Sequence, residues 1–230
     1  MKRLALFICL LLASLSSLFS SGFFLGGEVG YALNFMQTVT AWPETEYKPG
    51  HGADAAIRIG YSFDNGLSIN SGIRYIGKSF GYTHTNNGKL YSNYMEMNHF
   101  LQIPISLRYT YDLGFINLFA GGGGYIGVWF LSQSFGSNIS AAESYGKGAI
   151  YEENKGEVSS FNSGDNLFEV GLLAEAGISL DITDDIQLDF ALRYEGDVTS
   201  LVRDYQKNTV HRYNNSLVIT AGCIFGIGGK

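Results

Sequence analysis

The sequence is poor in proline, cysteine and charge, and it has no excess of basic residues. Only three of its 230 residues are prolines, and charged residues make up 16% of the chain. The formal net charge of −6 offers no basic surface for phosphate contacts, so no nucleic-acid partner is expected. Of the two cysteines, Cys9 lies in an N-terminal apolar run and would leave with it, so Cys223 has no partner for an intrachain disulfide.

Long apolar runs are also missing, except at the N-terminus. Lys2 and Arg3 precede a Leu-rich run over residues 4–18, and the small residues 20–22 follow it. This order predicts a secretory signal peptide, residues 1–21, that leaves residues 22–230 as one domain. A retained membrane helix is the alternative, but the run is short for a span of about 20 residues.

Aromatic residues and glycines are plentiful, and the apolar residues follow a period of two. In residues 97–111 every second residue is apolar except His99, and most of those between are polar. This alternation predicts a strand with one apolar and one polar face. The same pattern predicts eight strands in all: 23–35, 53–63, 67–79, 97–111, 115–130, 167–181, 186–195 and 217–227.

The connections between the predicted strands alternate between long and short. Residues 64–66 read as a tight turn, whereas residues 132–164 form the longest polar tract. Short turns at one end and long loops at the other are typical of outer-membrane barrels. We therefore predict an all-β fold: an eight-stranded antiparallel up-and-down transmembrane barrel with short periplasmic turns and long extracellular loops. A soluble lipocalin-like barrel, with its apolar face inward, is the alternative.

Three features favour a lipid-facing apolar side. The polar face is rich in small residues, which fit the narrow interior of an eight-stranded barrel. Aromatic residues cluster towards both strand ends, as membrane interfaces favour. Six acids and five bases on the polar face are nearly balanced, which predicts a paired charge network in the lumen because unpaired buried charges are costly. The predicted network comprises Glu28, Asp54, Arg58, Arg74, Lys78, Arg108, Glu169, Glu175, Asp189, Arg193 and Glu195.

Three segments carry a resemblance to a known group of proteins. They are residues 101–109 (LQIPISLRY), residues 119–125 (FAGGGGY) and the last strand. With them the chain resembles the small outer-membrane β-barrel proteins of Gram-negative bacteria, especially the PorT-like family of Bacteroidetes. In the last strand Thr220, Gly222, Phe225 and Ile227 are similar to the signal read by the barrel-insertion machinery. The resemblance therefore implies this machinery as a partner during assembly, and a location in the outer membrane.

The sequence predicts no catalytic, cofactor or metal site. Glycines 121–124 lack the Lys-Ser/Thr that completes a phosphate loop, and the four histidines are scattered. We expect a monomeric, non-enzymatic barrel in contact with outer-membrane lipid that acts through its surface loops, by adhesion, binding of an unidentified extracellular or envelope partner, or envelope assembly. The alternatives are a narrow porin-like channel for ions or small solutes, a lipid-modifying enzyme, and an accessory protein of type IX secretion.

Overall fold

Nine β-strands make up the described part of the chain. The computed structural model describes residues 22–39, 45–86, 89–139, 151–183, 185–203 and 211–227; the predicted signal peptide lies outside them. The strands are β1 Phe23–Val39, β2 Thr45–Ser62, β3 Leu67–Asn86, β4 Lys89–Asp112, β5 Ile116–Ile139, β6 Tyr151–Val158, β7 Phe168–Thr183, β8 Ile186–Asp197 and β9 His211–Ile227. Within these ranges no helix is long and apolar enough to cross a membrane.

Eight of the strands close into a ring. The sheet order is β4-β3-β2-β1-β9-β8-β7-β5, and a further pairing of β4 with β5 joins its ends. Every pairing is antiparallel, and the first and last strands meet along their whole length, from Phe23 opposite Ile227 to Val39 opposite His211. The predicted eight-stranded up-and-down barrel is confirmed.

The ninth strand, β6, corrects the prediction that residues 132–164 form a loop. β5 pairs with β7 through its first half and with β6 through its second half, from Gln133 to Ile139. Other strands also continue past their predicted loop ends; β4 begins at Lys89 rather than at residue 97. These extensions lie beyond the apolar band, where both faces of a strand can be polar, so no alternation in the sequence marks them.

The short connections lie together at one end of the ring. In the β2–β3 turn Gly66 has a φ of 82°, which favours glycine, and the Leu67 amide donates to Asn65 Oδ1 at 3.1 Å. The β4–β5 turn is similar, because Gly114 has a φ of 102° and its amide donates to Asp112 Oδ1 at 2.7 Å. We call this the turn end and the opposite one the loop end.

The barrel is apolar outside and polar inside. Along β4, Ile105 is 62% exposed on the outer face, whereas Arg108 is 5% exposed on the inner face. Exposed aromatic residues lie on the outer face near both ends, for example Tyr109 and Phe225 at the turn end and Phe130 and Phe168 at the loop end. A bilayer offers no hydrogen-bond partners, so this closed ring with an apolar surface is suited to cross it.

Gly123 of β5 allows the close approach of β4, because a Cβ there would lie 2.0 Å from the Ile105 carbonyl oxygen. We expect Gly123→Ala to lower the free energy of unfolding by about 1–3 kcal/mol, as overpacking does. Gly122→Ala is the matched control, since its Cβ would meet nothing nearer than the Leu173 carbonyl oxygen at 3.4 Å. Urea unfolding in detergent measures both; equal losses would contradict the expectation.

Candidate functional site

The turn-side half of the lumen holds three arginines and three acids. This turn-side ionic cluster consists of Glu28, Arg58, Arg108, Glu175, Asp189 and Arg193. Arg58 binds Glu28 and Asp189 at 3.1 and 3.4 Å, and Arg193 binds Glu28 and Glu175 at 2.8 and 3.2 Å. Each arginine thus bridges two acids, so the cluster is continuous and its formal charges cancel.

Arg108 completes this cluster and packs on an aromatic ring. Its guanidinium reaches Glu175 at 3.2 Å and Asp189 at 2.6 Å. The guanidinium carbon lies 3.7 Å from the centre of the Phe119 ring, a cation–π contact. The side chain is therefore held by two charges and a ring, which fills the bore between β4 and β8.

A second group of charges lies towards the loop end. This loop-side ionic cluster consists of Asp54, Arg74, Lys78, Glu169, Glu195 and Asp197. Arg74 contacts Asp54, at 2.5 Å, and Glu195. Lys78 contacts Glu169 and Asp197, both at 2.8 Å. This cluster has four acids and two bases, and neutral hydrogen-bond donors offset part of the excess of acids.

Those neutral donors are Gln102 and Tyr125. Gln102 Nε2 donates to Glu169 Oε1 at 2.6 Å, and the Tyr125 hydroxyl donates to Asp197 Oδ1 at 2.5 Å. Hydrogen bonds to a carboxylate stabilise its charged form, so these contacts offset part of the acid excess. They also tie β4, β5, β7 and β8 together across the lumen.

The structure brings all eleven sequence-predicted network residues into the lumen and adds Asp197. Each of the eleven is buried, and the two clusters divide them between the two halves of the barrel. Asp197 was missed because it follows the predicted end of its strand at residue 195. It shares the parity of Asp189, Arg193 and Glu195, so extending the alternation by one step would have found it.

An apolar layer lies next to the loop-side cluster and closes the bore a second time. This apolar seal consists of Ala32, Ile76, Phe100, Trp129, Leu201 and Val218. Leu201 belongs to the β8–β9 connection and is 5% exposed, and its backbone N–H donates a hydrogen bond to the Arg212 carbonyl at 2.9 Å. Lys78 joins the two layers, since its Nζ lies 5.0 Å from the centre of the Phe100 ring.

Outside the seal the loops enclose a cavity of about 250 Å³. The β6–β7 connection forms one wall and pairs with the β8–β9 connection through an Asp165–Val202 bridge and the Asn166 amide, which donates to the Leu201 carbonyl at 2.8 Å. Its lining includes Glu96, Trp129, Phe161, Asn162, Asp165 and Arg212. Sequence reasoning missed this cavity because it arises where separate loops meet.

Glu96 is a partly buried acid of the cavity. It lies on the extension of β4 beyond the outer aromatic residues, and burial raises the pKa of its carboxyl above the ordinary value. A hydrogen bond from Asn98 Nδ2 at 3.1 Å and the charge of Arg212 lower this pKa, and Asp165 raises it further. The cavity thus combines two acids and one base at close range.

The predicted assembly-signal residues lie on both faces of β9. Thr220 is buried opposite Gly30, Phe225 is exposed on the outer face, and Ile227 pairs with Phe23 at the end of the ring. Gly222 lies opposite Glu28, where it leaves room for that side chain. Recognition of these residues by the insertion machinery stays a prediction.

Two histidines lie on the outer face, where each contacts a tyrosine. The Tyr31 hydroxyl contacts His51 Nδ1, and the Tyr75 hydroxyl lies 2.7 Å from His99 Nδ1. His99 Nε2 also lies 3.2 Å from Gln133 Oε1. In the part of the chain that the structure describes, no group of three or more His, Cys, Asp or Glu residues is placed to hold a metal ion.

Comparison with known proteins identifies the family. The profile described as outer membrane protein beta-barrel domain matches residues 15–196. The chain belongs to this family. As a member of the outer membrane protein beta-barrel family, it is located in the outer membrane. No curated protein sequence matches the chain.

Solved outer-membrane proteins are similar to the chain at low sequence identity. The outer membrane protease OmpT from Escherichia coli is 8% identical with a TM-score of 0.54, over 89% of this chain and 96% of that chain. Neisserial surface protein A is 16% identical with a TM-score of 0.43, over 89% and 97%. OprG from Pseudomonas aeruginosa is 10% identical with a TM-score of 0.49, over 91% and 98%.

Loss of Arg108 should destabilise this outer membrane protein beta-barrel strongly. We expect Arg108→Met to lower the free energy of unfolding by about 3–5 kcal/mol, because it leaves Glu175 and Asp189 short of a partner in a buried cluster. Lys155→Met is the control, since the exposed Lys155–Glu153 pair of β6 contributes about 0–1 kcal/mol. Urea unfolding followed by gel mobility measures both, and equal effects would show that the cluster is not stabilising.

Proposed function

We propose that this outer membrane protein is a non-enzymatic, non-conducting barrel that acts through the structures at its loop end. The observation that carries the proposal is the doubly closed lumen. Two ionic clusters, with side chains from β1, β2, β3, β4, β7 and β8, fill the bore, and the apolar seal covers them towards the loop end. The part of the molecule that can meet a partner is then the loop end, beyond the apolar seal.

The closed lumen favours this proposal over a narrow channel. An ion would have to separate pairs such as Arg193–Glu28 and Lys78–Glu169, each buried and within 2.8 Å. It would also have to cross the apolar seal, which offers no hydration. Both steps are costly because charges in a low-dielectric interior lose their water.

The positions of His51 and His99 favour a binding role over catalysis. A histidine acting as a general base is commonly oriented by an acid and faces a nucleophile. Here both rings contact tyrosines on the outer face of the barrel instead. The similarity to the protease OmpT concerns the fold, and fold similarity does not transfer activity.

The loop end has the features of a binding platform. The β3–β4 and β5–β6 hairpins extend the sheet beyond the apolar band, and β6 exposes Glu153, Lys155 and Glu157. Long loops on a rigid scaffold are where binding sites concentrate. We infer a monomer that presents these hairpins and the cavity to an extracellular or envelope partner, through adhesion or assembly.

Within the outer membrane protein family, membership of the narrower PorT-like group stays a prediction. It rests on the sequence segments in β4, β5 and β9, and with it comes the prediction of an accessory role in type IX secretion. Deleting the gene and measuring the proteins released by the cells tests that role; unchanged release would exclude it.

Conductance across planar lipid bilayers tests the closed lumen. We expect no steady conductance from the purified protein, with an established porin as the positive control. Leu201→Ala opens only the apolar seal. This variant should also show no steady conductance, because both ionic clusters remain. Steady ohmic currents from the wild-type protein would contradict the proposal.

Incubation with labelled phospholipid and with a labelled unstructured peptide tests the absence of catalysis. We expect no turnover by the folded barrel, and no difference between the wild-type protein and His99→Ala. Turnover that is lost when the protein is unfolded would contradict the non-enzymatic assignment.

A further inference from the structure

We propose that the loop-end cavity binds one uncharged sugar ring, such as the terminal unit of a glycan. The inference rests on the proposed function, because it assumes that the loop end is the working part of the protein. It adds a ligand class and names the side chains that recognise it.

The size and position of the cavity set the first limit on the ligand. Its volume of about 250 Å³ lies just below the range of about 300–1,000 Å³ that holds drug-sized molecules, so a single ring fits. Its floor includes Trp129 and Leu201 of the apolar seal. A ligand therefore enters from the cell exterior and stops there, which suits recognition rather than transport.

The charges of the cavity set the second limit. Glu96 and Asp165 line it together with Arg212. An anion would meet the two acids, and a cation would meet the guanidinium of Arg212, so neither finds partners of one charge sign alone. A purely apolar ligand would leave all three groups without water, at high cost. A neutral ligand with several hydroxyl groups can donate to the acids and accept from the arginine.

Hydrogen-bonding capacity remains on Arg212 and Asp165. The Nε atom of Arg212 is fully buried and has no hydrogen-bond partner among the residues that the structure describes, although buried donors are almost always paired. Asp165 Oδ2 accepts only one described hydrogen bond from a backbone amide, that of Asn162 at 2.7 Å, and each carboxylate has about four acceptor positions. The side chains of Asn162 and of Ser132, Ser159 and Ser160 add neutral donors and acceptors.

An aromatic wall supplies the apolar contact that the C–H face of a sugar ring needs. Phe161 meets Trp129 edge to face, with ring centres 5.0 Å apart and planes at 79°. Trp129 is fixed in turn by stacking on Phe100 at 6.0 Å and by its Nε1 bond to the Leu131 carbonyl at 3.0 Å. Phe161 is 37% exposed, so part of its ring remains open to a ligand.

Saturation-transfer NMR on the full chain in detergent micelles tests the proposal. The probes are glucose, galactose and N-acetylglucosamine, with ethanolamine as a cation, succinate as an anion and glycine as a zwitterion. We expect transfer to the ring protons of at least one sugar, with a dissociation constant on the order of 1 mM. The three charged probes should give no signal.

Variants locate the binding site. Phe161→Ala and Arg212→Met should each weaken sugar binding about tenfold. Arg203→Met is the control for Arg212, because Arg203 is exposed and does not line the cavity. Phe115→Ala is the control for Phe161, since it removes an exposed ring at the turn end. Heat-modifiable gel mobility verifies that each variant is folded.

Each outcome decides the proposal. Sugar signals that both cavity variants weaken and both controls leave unchanged support it. Signals from a charged probe alone, from no probe at all, or from sugars equally in every variant overturn it. The proposed function is tested separately, because bilayer conductance depends on the lumen: a silent barrel that binds no sugar refutes this inference alone, and a conducting one refutes the closed lumen.

Discussion

The bilayer interior offers no hydrogen-bond partner to a peptide group, and the architecture of this protein follows from that constraint. Every strand that crosses the membrane must be paired on both sides, so the sheet closes through β1 and β9. Closure divides the side chains into two sets with a period of two. The outer set meets hydrocarbon and is apolar, and the inner set fills a bore too narrow for bulk water, where charges persist because they are paired.

The two layers inside the barrel close it in different ways. The turn-side ionic cluster balances three bases with three acids, whereas the loop-side cluster has four acids around Arg74 and Lys78 and uses Gln102 and Tyr125 as additional donors. The apolar seal then separates these charges from the cavity. Lys78 belongs to both layers, since it binds two carboxylates while its Nζ lies near the rings of Phe100 and Tyr125.

The sequence predicts the structure best in the part of the barrel that faces the hydrocarbon of the bilayer. Where lipid covers one face of a strand, its residues must alternate, so spacing predicts the eight strands of the ring and groups the eleven charges on one face. The small residues, the aromatic residues and the charge balance then place that face inside. Beyond the lipid both faces meet water. The polar sequence of β6, with its Glu and Lys residues, therefore predicts a loop. Asp197 lies just past a predicted strand end. Leu201 lies in a connection without alternation, and only the path of the loops brings it into the seal.

The seam between β1 and β9 ties the beginning of the folded domain to its end. Phe23 and Ile227 are partners although nearly the whole domain separates them along the chain. The cylinder therefore cannot be completed until the final strand has been delivered, and before that moment β1 and β8 both present unpaired backbone edges. Such edges invite pairing with foreign strands. The edges of β1 and β8 therefore stay open to such pairing until the seventeen residues of β9 are in place.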